Sequence, residues 1–379
     1  MTEVNIWQKL ARNKKPFFCL APMAGVTDFA FREILAEIGG PDLFFTEFVS
    51  TEMVARNFFE VGSSDPTPTK KFRKDLPPIL NFSEKQHPII AQFFGCKPEQ
   101  FRICASLAVK LGFDGIDINL GCPDRKVLKQ GAGSELIKNP KLVEKIIRAT
   151  IEGCGGKIPV SIKTRLGYDK KNIQEYLEIL KNIAAEGNIS AITIHGRTVK
   201  QGYSGKADWG EIGKFAKELK KAYIGQTYGN YRRSDLCVIG NGDIKSIEQG
   251  KKLAEKYGLD GVMIGRQILR NPWVFNKSES LQIKDRMNPN INERVRVALK
   301  HTKLFEKFYR VGSGNPTLTS NIGAMKKYYK AYLSGIPADL VSKKELMECK
   351  SVGEAKRLLM SNIQFPMSNQ CQNPNNKKI

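Results

Sequence analysis

The run Asn119-Leu120-Gly121-Cys122-Pro123 puts a thiol where an apolar stretch, Gly115 to Asn119, stops and turns. A free cysteine has a reference pKa of about 8.5, so at neutral pH it is mostly a proton donor with a latent nucleophile. Its turn neighbours Gly121 and Pro123 argue against an inert core cysteine. Lys163 ends the run Val160-Ser161-Ile162, where an ammonium needs an acceptor or a bound anion to offset its desolvation. Arg165 follows two residues later. His195 closes Ile192-Thr193-Ile194; a lone histidine there is commonly a core residue, but the adjoining Gly196-Arg197 favours a functional one. Gln92 carries donor and acceptor together, which suits the edge of a heterocycle. Gly240-Asn241-Gly242-Asp243 and Gly265-Arg266 are turns whose backbone N–H groups can approach an anion, with Arg266 suited to bidentate phosphate contact.

These residues need a scaffold that brings strand ends together. Short β-branched runs predict eight strands: Phe17 to Ala21, Leu43 to Glu47, Ile89 to Phe94, Gly115 to Asn119, Pro159 to Thr164, Ala191 to His195, Leu236 to Gly240 and Gly261 to Gly265. Amphipathic stretches such as Lys141 to Glu152 and Gln174 to Ala185 separate them, and such alternation means a parallel sheet. Continuous apolar strands suit either an open doubly wound sheet or a closed barrel, and eight repeats favour the (β/α)8 TIM barrel. Ala21-Pro22-Met23-Ala24 and every group above then fall at carboxyl-terminal strand ends, the catalytic face, and glycine turns after strands seven and eight are where such barrels hold phosphate.

The 379 residues suffice for a barrel and an appendage: an α/β barrel over 1–287, a helical domain over 288–367 and a disordered tail over 368–379. The helical pattern runs over Glu293 to Arg310, Ile322 to Leu333 and Val352 to Met360. There Arg294, Arg296, Lys300, Lys303, Lys307, Arg310, Lys326, Lys327 and Lys330 alternate with Phe305, Phe308, Tyr309, Tyr328, Tyr329 and Tyr332, a pattern expected of a nucleic-acid surface or of a solvated face over an aromatic core. The net charge of +23 makes nucleic acid the leading partner. Eight cysteines without C-x-x-C spacing and three scattered histidines predict no metal and a reducing compartment. No run reaches the roughly 20 apolar residues of a membrane span, and Met1-Thr2-Glu3-Val4 opens no signal-peptide pattern, so a cytoplasmic monomer needing no protein partner is expected. Two connections, Asn57 to His87 and Tyr223 to Asp235, are longer than barrel loops require and are expected to be functional or disordered.

From Phe17 to Phe275 the chain resembles the tRNA-dihydrouridine synthases, flavin enzymes that reduce uridine in transfer RNA. The resemblance is carried by Ala21-Pro22-Met23-Ala24-Gly25-Val26-Thr27-Asp28, Gln92-Phe93-Phe94-Gly95, the Cys122 turn, Gly131-Ala132-Gly133-Ser134, His195-Gly196-Arg197-Thr198 and Asn241-Gly242-Asp243-Ile244. Met325-Lys326-Lys327-Tyr328-Tyr329-Lys330, with Gly335-Ile336-Pro337 after it, resembles the helical tRNA-binding domain of the bacterial members. The resemblance implies FMN as cofactor and NADPH as donor, with NADH possible. It places FMN contacts on Pro22, Met23, Ala24, Gln92, Lys163, His195, Asn241, Gly242, Asp243, Gly265 and Arg266. It makes Cys122 the acid that protonates C5 of uracil while hydride reaches C6, with Asn119, Arg165 and Arg197 as substrate contacts. An FMN barrel acting on a free dihydropyrimidine, or a non-catalytic RNA-binding barrel, are the competing readings.

Overall fold

Among the described residues, eleven strands follow in chain order: β1 (Phe17–Leu20), β2 (Phe44–Phe45), β3 (Val49–Ser50), β4 (Ile89–Phe94), β5 (Gly115–Asn119), β6 (Val160–Arg165), β7 (Ile189–His195), β8 (Thr227–Tyr228), β9 (Tyr231–Arg232), β10 (Cys237–Asn241) and β11 (Gly261–Ile264). The computed structural model describes residues 4–13, 16–58, 78–186, 189–223, 227–228, 231–232, 236–276, 289–312, 322–337 and 340–363. All pairs in the main sheet are parallel, in the order β1-β11-β10-β7-β6-β5-β4-β2, with β3 extending the pairing on β4. A parallel bridge between Cys19 and Leu43 joins the two ends of that order. The Leu20 amide donates to the Leu43 carbonyl at 3.0 Å and the Asp42 amide to the Phe18 carbonyl at 2.8 Å, completing the barrel. Helices such as Pro98–Leu111, Pro140–Cys154, Ile173–Glu186, Trp209–Tyr223 and Ile247–Tyr257 make the crossovers.

Observed strand limits lie within two residues of those expected, except for the second. The hydroxyl of Thr46 accepts the Gln92 amide at 3.1 Å, which interrupts the ladder beside β4. Pairing resumes only at Val49 and Phe93, so the expected strand Leu43 to Glu47 shortens to β2, and β3 follows beyond its expected end. Pro140–Cys154 begins one residue before the expected helix because the Asn139 side chain caps the Leu142 amide, and it stops at Gly155, whose φ of 55° only glycine adopts freely.

Alternation along parallel strands then decides what faces inward. The register aligns Gln92 with Asp117, Asp117 with Ser161, Lys163 with Thr193, Arg165 with His195, and His195 with Asn241. Paired residues in a sheet share a face, so these polar groups line one end of the interior. Towards the strand starts the same parity gives Phe17, Cys19, Phe45, Ile90, Ala191, Cys237, Ile239 and Met263, which pack with Trp7 in one apolar cluster. Trp7 is fully buried on the helix Ile6–Asn13, its ring 6.2 Å from Phe17 and 6.3 Å from Phe45 between centroids. It closes the floor of the barrel, a role invisible in a lone tryptophan near the start of the chain.

The chain divides into two compact units, Met1–Met287 and Asn288–Ile379. The second carries helices Ile291–Gly312, Gly323–Tyr332, Lys343–Glu348 and Val352–Ile363, the third of which the periodicity did not reveal. Of the two arrangements expected for its aromatics, these follow the second: Tyr328, Tyr329 and Tyr332 are fully buried, with Phe305 nearly so, and form core. The Tyr329 hydroxyl meets Thr302 at 2.8 Å and that of Tyr332 meets His301 at 3.0 Å, which satisfies buried phenols. Arg294 is corrected, being buried and donating to the Tyr332 carbonyl at 2.7 Å and to that of Ser334, where it caps a helix end. Arg296, Lys300, Lys303 and Lys307 are exposed at spacings of four, three and four, which places them in one stripe of about 16 Å.

Most of the Asn57 to His87 connection, residues 59–77, lies outside the described residues, as do parts of the second connection and the tail 368–379. The returning end of the first is held by Arg32, fully buried, which donates to Gln86 Oε1 at 2.8 Å and to the Asn81 carbonyl at 2.5 Å. Among the described residues, β8 and β9 form an antiparallel pair in the second, and no helix is long and apolar enough to cross a membrane.

Candidate active site

A cavity of about 320 Å³ opens at the carboxyl-terminal strand ends. Pro22, Met23, Gln92, Asn119, Cys122, Lys163, Arg165, His195, Asn241, Gly242, Asp243, Gly265 and Arg266 all line it. Ala24 and Arg197 do not: Ala24 is exposed on the turn after β1, and Arg197 is buried behind the wall.

The Cys122 turn is clamped from both sides. Asn119 Oδ1 accepts from the Gly121 amide at 3.0 Å and the Cys122 amide at 2.9 Å, while Ser134 donates to the Cys122 carbonyl from its amide and its hydroxyl at 3.1 and 2.9 Å. Gly133, at a φ of 62°, passes so close that a Cβ there would lie 2.9 Å from the Cys122 carbonyl oxygen. This explains why a Gly-Ala-Gly-Ser turn accompanies the cysteine. Arg165 Nε holds the Gly121 carbonyl at 2.8 Å, and its Nη1 holds those of Thr198 and Gly202 at 3.0 and 2.9 Å. The thiol is half-buried, and burial first of all raises its pKa, against the lowering pull of Arg165 and Lys163. It therefore stays protonated at neutral pH.

Lys163 lies beside that thiol with its pKa pushed down to about 8 by burial and then by Arg165, partly offset by Asp117. Burial and the cations Lys163, Arg165, Arg197 and Arg266 hold His195 well below its ordinary value, so its imidazole is neutral. The Gln92 carboxamide, fully buried, donates from Nε2 to Asp117 Oδ2 at 2.7 Å and accepts from Asn119 Nδ2 at 2.9 Å. Each end of the Gln92 carboxamide retains one further hydrogen-bonding valence.

At the end of β10, Gly242 at φ 127° and Asp243 at φ 54° both have positive φ, which makes a tight turn at the cavity wall. A side chain at Gly242 would meet Ala207 Cβ at 2.6 Å and the His195 ring at 3.1 Å, so only glycine fits. The Asp243 carboxylate accepts from Arg197 at 2.7 Å, from the Ala207 amide at 2.8 Å and from Arg266 at 3.2 Å. Arg197 also donates to the carbonyls of Ser204 at 3.1 Å and Gly205 at 2.6 Å, and its Nη1 lies 3.5 Å from His195 Nε2. Its guanidinium braces the loop after β7 and backs the cavity-lining residues His195 and Asp243 without itself lining the cavity.

Two residues escaped sequence reasoning. Tyr203 is 61% exposed at the cavity rim, with the Arg266 and Arg165 guanidinium carbons 4.7 and 5.8 Å from its ring centroid. An aromatic alone in the polar stretch Gln201 to Gly205 was the available signal. Asp117, fully buried, looked like an ordinary member of an apolar strand.

A parallel β/α barrel thus gathers a protonated thiol, a cluster of cations and a glycine turn over one cavity. The family described as dihydrouridine synthase (Dus) matches residues 19–368, and the chain belongs to it. It is an oxidoreductase by that membership. It is 37% identical over 355 residues to the probable tRNA-dihydrouridine synthase of Staphylococcus aureus (strain Mu50), covering 94% of each chain. It is 35% identical over 359 residues to the probable tRNA-dihydrouridine synthase 2 of Bacillus subtilis (strain 168), covering 95% of this chain and 96% of that one.

Proposed function

We propose that the protein reduces uridines of transfer RNA to 5,6-dihydrouridine, using FMN and an NADPH donor, as a cytoplasmic monomer. Family membership supports the reaction, and the observation in this chain that carries the mechanism is Cys122, a thiol held protonated by burial beside Lys163 and Arg165 at the cavity.

The residues present fit FMN. The Gly242-Asp243 turn, Gly265 and Arg266 supply donors for a phosphate, and Gln92, Lys163 and neutral His195 supply donors and acceptors for a heterocycle edge. FMN bound by these residues would, when reduced, supply hydride chemistry at C6 of uracil. Cys122 then delivers the proton to C5, and a thiol with a raised pKa is in the correct protonation state to do so. Lys163 and Arg165 offer positive charge where the uracil carbonyls become electron-rich. Asn119 serves chiefly to hold the turn, since its Oδ1 is taken by two backbone amides, and a second N–H remains for substrate.

A uridine inside folded RNA reaches such a cavity only when flipped out of its stack. Exposed Tyr203 offers an aromatic face at the rim, and the +23 charge and the Arg296, Lys300, Lys303 and Lys307 stripe offer cations to phosphates, which a free pyrimidine would not need. The purified protein should show flavin absorbance. Cys122→Ala should leave reduction by NADPH nearly unchanged while reoxidation by tRNA slows by about 10²–10⁴-fold. Normal turnover on tRNA in that variant, or a colourless protein that cannot be reconstituted with FMN, would refute the proposal.

A further inference from the structure

Beneath the cavity, a buried carboxylate belongs to none of the roles above. Asp117 sits between Gln92 on β4 and Ser161 on β6, its direct neighbours in the sheet register, and is wholly inaccessible to solvent. Its Oδ1 accepts from the Ser161 hydroxyl at 2.6 Å and its Oδ2 from Gln92 Nε2 at 2.7 Å. A carboxylate only accepts, so Gln92 must turn its amino group down toward Asp117 and its carbonyl oxygen up. That oxygen takes Asn119 Nδ2 at 2.9 Å, which in turn directs Asn119 Oδ1 at the amides of Gly121 and Cys122. The chain Ser161, Asp117, Gln92, Asn119, Cys122 is thus fixed at both ends, by a carboxylate that can only accept and by backbone amides that can only donate.

Such an arrangement is costly to bury. Burial lifts the Asp117 carboxyl to about 6, countered by the Ser161 and Gln92 hydrogen bonds and by Lys163. An apolar residue at this strand position would avoid the cost but would leave the buried Gln92 amino group without its acceptor, so that Gln92 and the Asn119 it supports would be held from the Cys122 side alone.

We propose that Asp117 is a positioning residue for the Cys122 turn, acting through the enforced orientation of the Gln92 and Asn119 carboxamides. The proposal rests on Cys122 being the reactive thiol of this site.

The test compares Asp117→Ala with Asp117→Asn in the full chain. Asparagine can accept from Gln92 and donate to Ser161, so it preserves the order of the chain; alanine cannot. The first readout needs neither FMN nor tRNA: the rate at which iodoacetamide alkylates Cys122, followed by peptide mass, with partly exposed Cys96 as internal reference. Loosening the turn exposes the thiol, so Asp117→Ala should raise the Cys122 rate by about tenfold, and Asp117→Asn by no more than about twofold. Equal effects of the two variants, or an alanine rate within about twofold of the parent, would overturn the proposal. Should the alanine variant fail to fold, Asp117→Val, which fills the strand position and likewise offers no acceptor to Gln92, carries the test: a rise of about threefold supports positioning and an unchanged rate overturns it. In the FMN-loaded protein, Asp117→Ala should slow reoxidation by tRNA more than reduction by NADPH. A changed alkylation rate with undisturbed tRNA turnover would uphold the positioning and overturn the assignment of Cys122 as the acid.

Discussion

Replacing Arg197 by alanine separates a brace from a substrate-binding group. Its guanidinium is 2% exposed and holds the Ser204 and Gly205 carbonyls and the Asp243 carboxylate. Breaking a fully buried ion pair by removing one partner costs about 3–5 kcal/mol. Asp243 is 33% exposed and keeps Arg266 and the Ala207 amide, so solvent and those partners reduce the loss. The two carbonyls lie near the surface and recover water in part, which brings the expected destabilisation to about 2–4 kcal/mol. For a barrel unit of this size that is a fall of about 4–8 °C in Tm, read by circular dichroism at a fixed scan rate. Arg197→Lys should recover less than half, because one ammonium cannot span three acceptors in a plane. A residue that binds substrate would show the opposite pattern, a raised KM for tRNA with intact stability. A Tm within about 1 °C of the parent would refute the brace.

Arg266→Ala should weaken FMN retention by about 1.5–3 kcal/mol, the worth of a charge-assisted hydrogen bond, and FMN kept equally through dialysis would remove Arg266 from the phosphate site. Because burial raises the Cys122 pKa, its alkylation rate should reach half-maximum at a pH above the roughly 8.5 of a free cysteine; a midpoint at or below that value would contradict a thiol kept as acid. Converting Arg296, Lys300, Lys303 and Lys307 to alanine should flatten the log–log salt dependence of tRNA binding by about one unit for each phosphate left unneutralised, whereas Arg294→Ala should destabilise the helical unit instead. An unchanged slope in the quadruple variant would place the RNA-binding surface elsewhere. Trp7→Ala should cost about 3–5 kcal/mol by opening the barrel floor, and a urea midpoint equal to the parent's would show that the floor is closed without it.

The barrel was legible because its signal is local and repeated. Apolar runs ending in polar or glycine residues recur eight times, and period-two alternation carries Gln92, Asn119, Lys163, Arg165, His195 and Asn241 to the interior once the strands are recognised. The Thr46 interruption was not legible, since it depends on a hydroxyl meeting an amide 46 positions away.

Within the site, sequence alone determined which groups gather at the strand ends, because that follows from residue type and strand parity. It could not determine what each group holds. Arg197 and Arg266 are both arginines after a strand, yet one is sealed behind Asp243 and the other faces the cavity. Arg294 and Arg296 stand two residues apart on one helix, and their opposite faces make the first a cap for carbonyls near residue 333 and the second an exposed surface charge. Asp117 shows the same limit: its neighbours in sequence are isoleucines, and only the sheet register sets Gln92 and Ser161 beside it. A side chain's type limits the bonds it can make, but its partner is chosen by backbone many residues distant, and that choice exists only once the chain has folded.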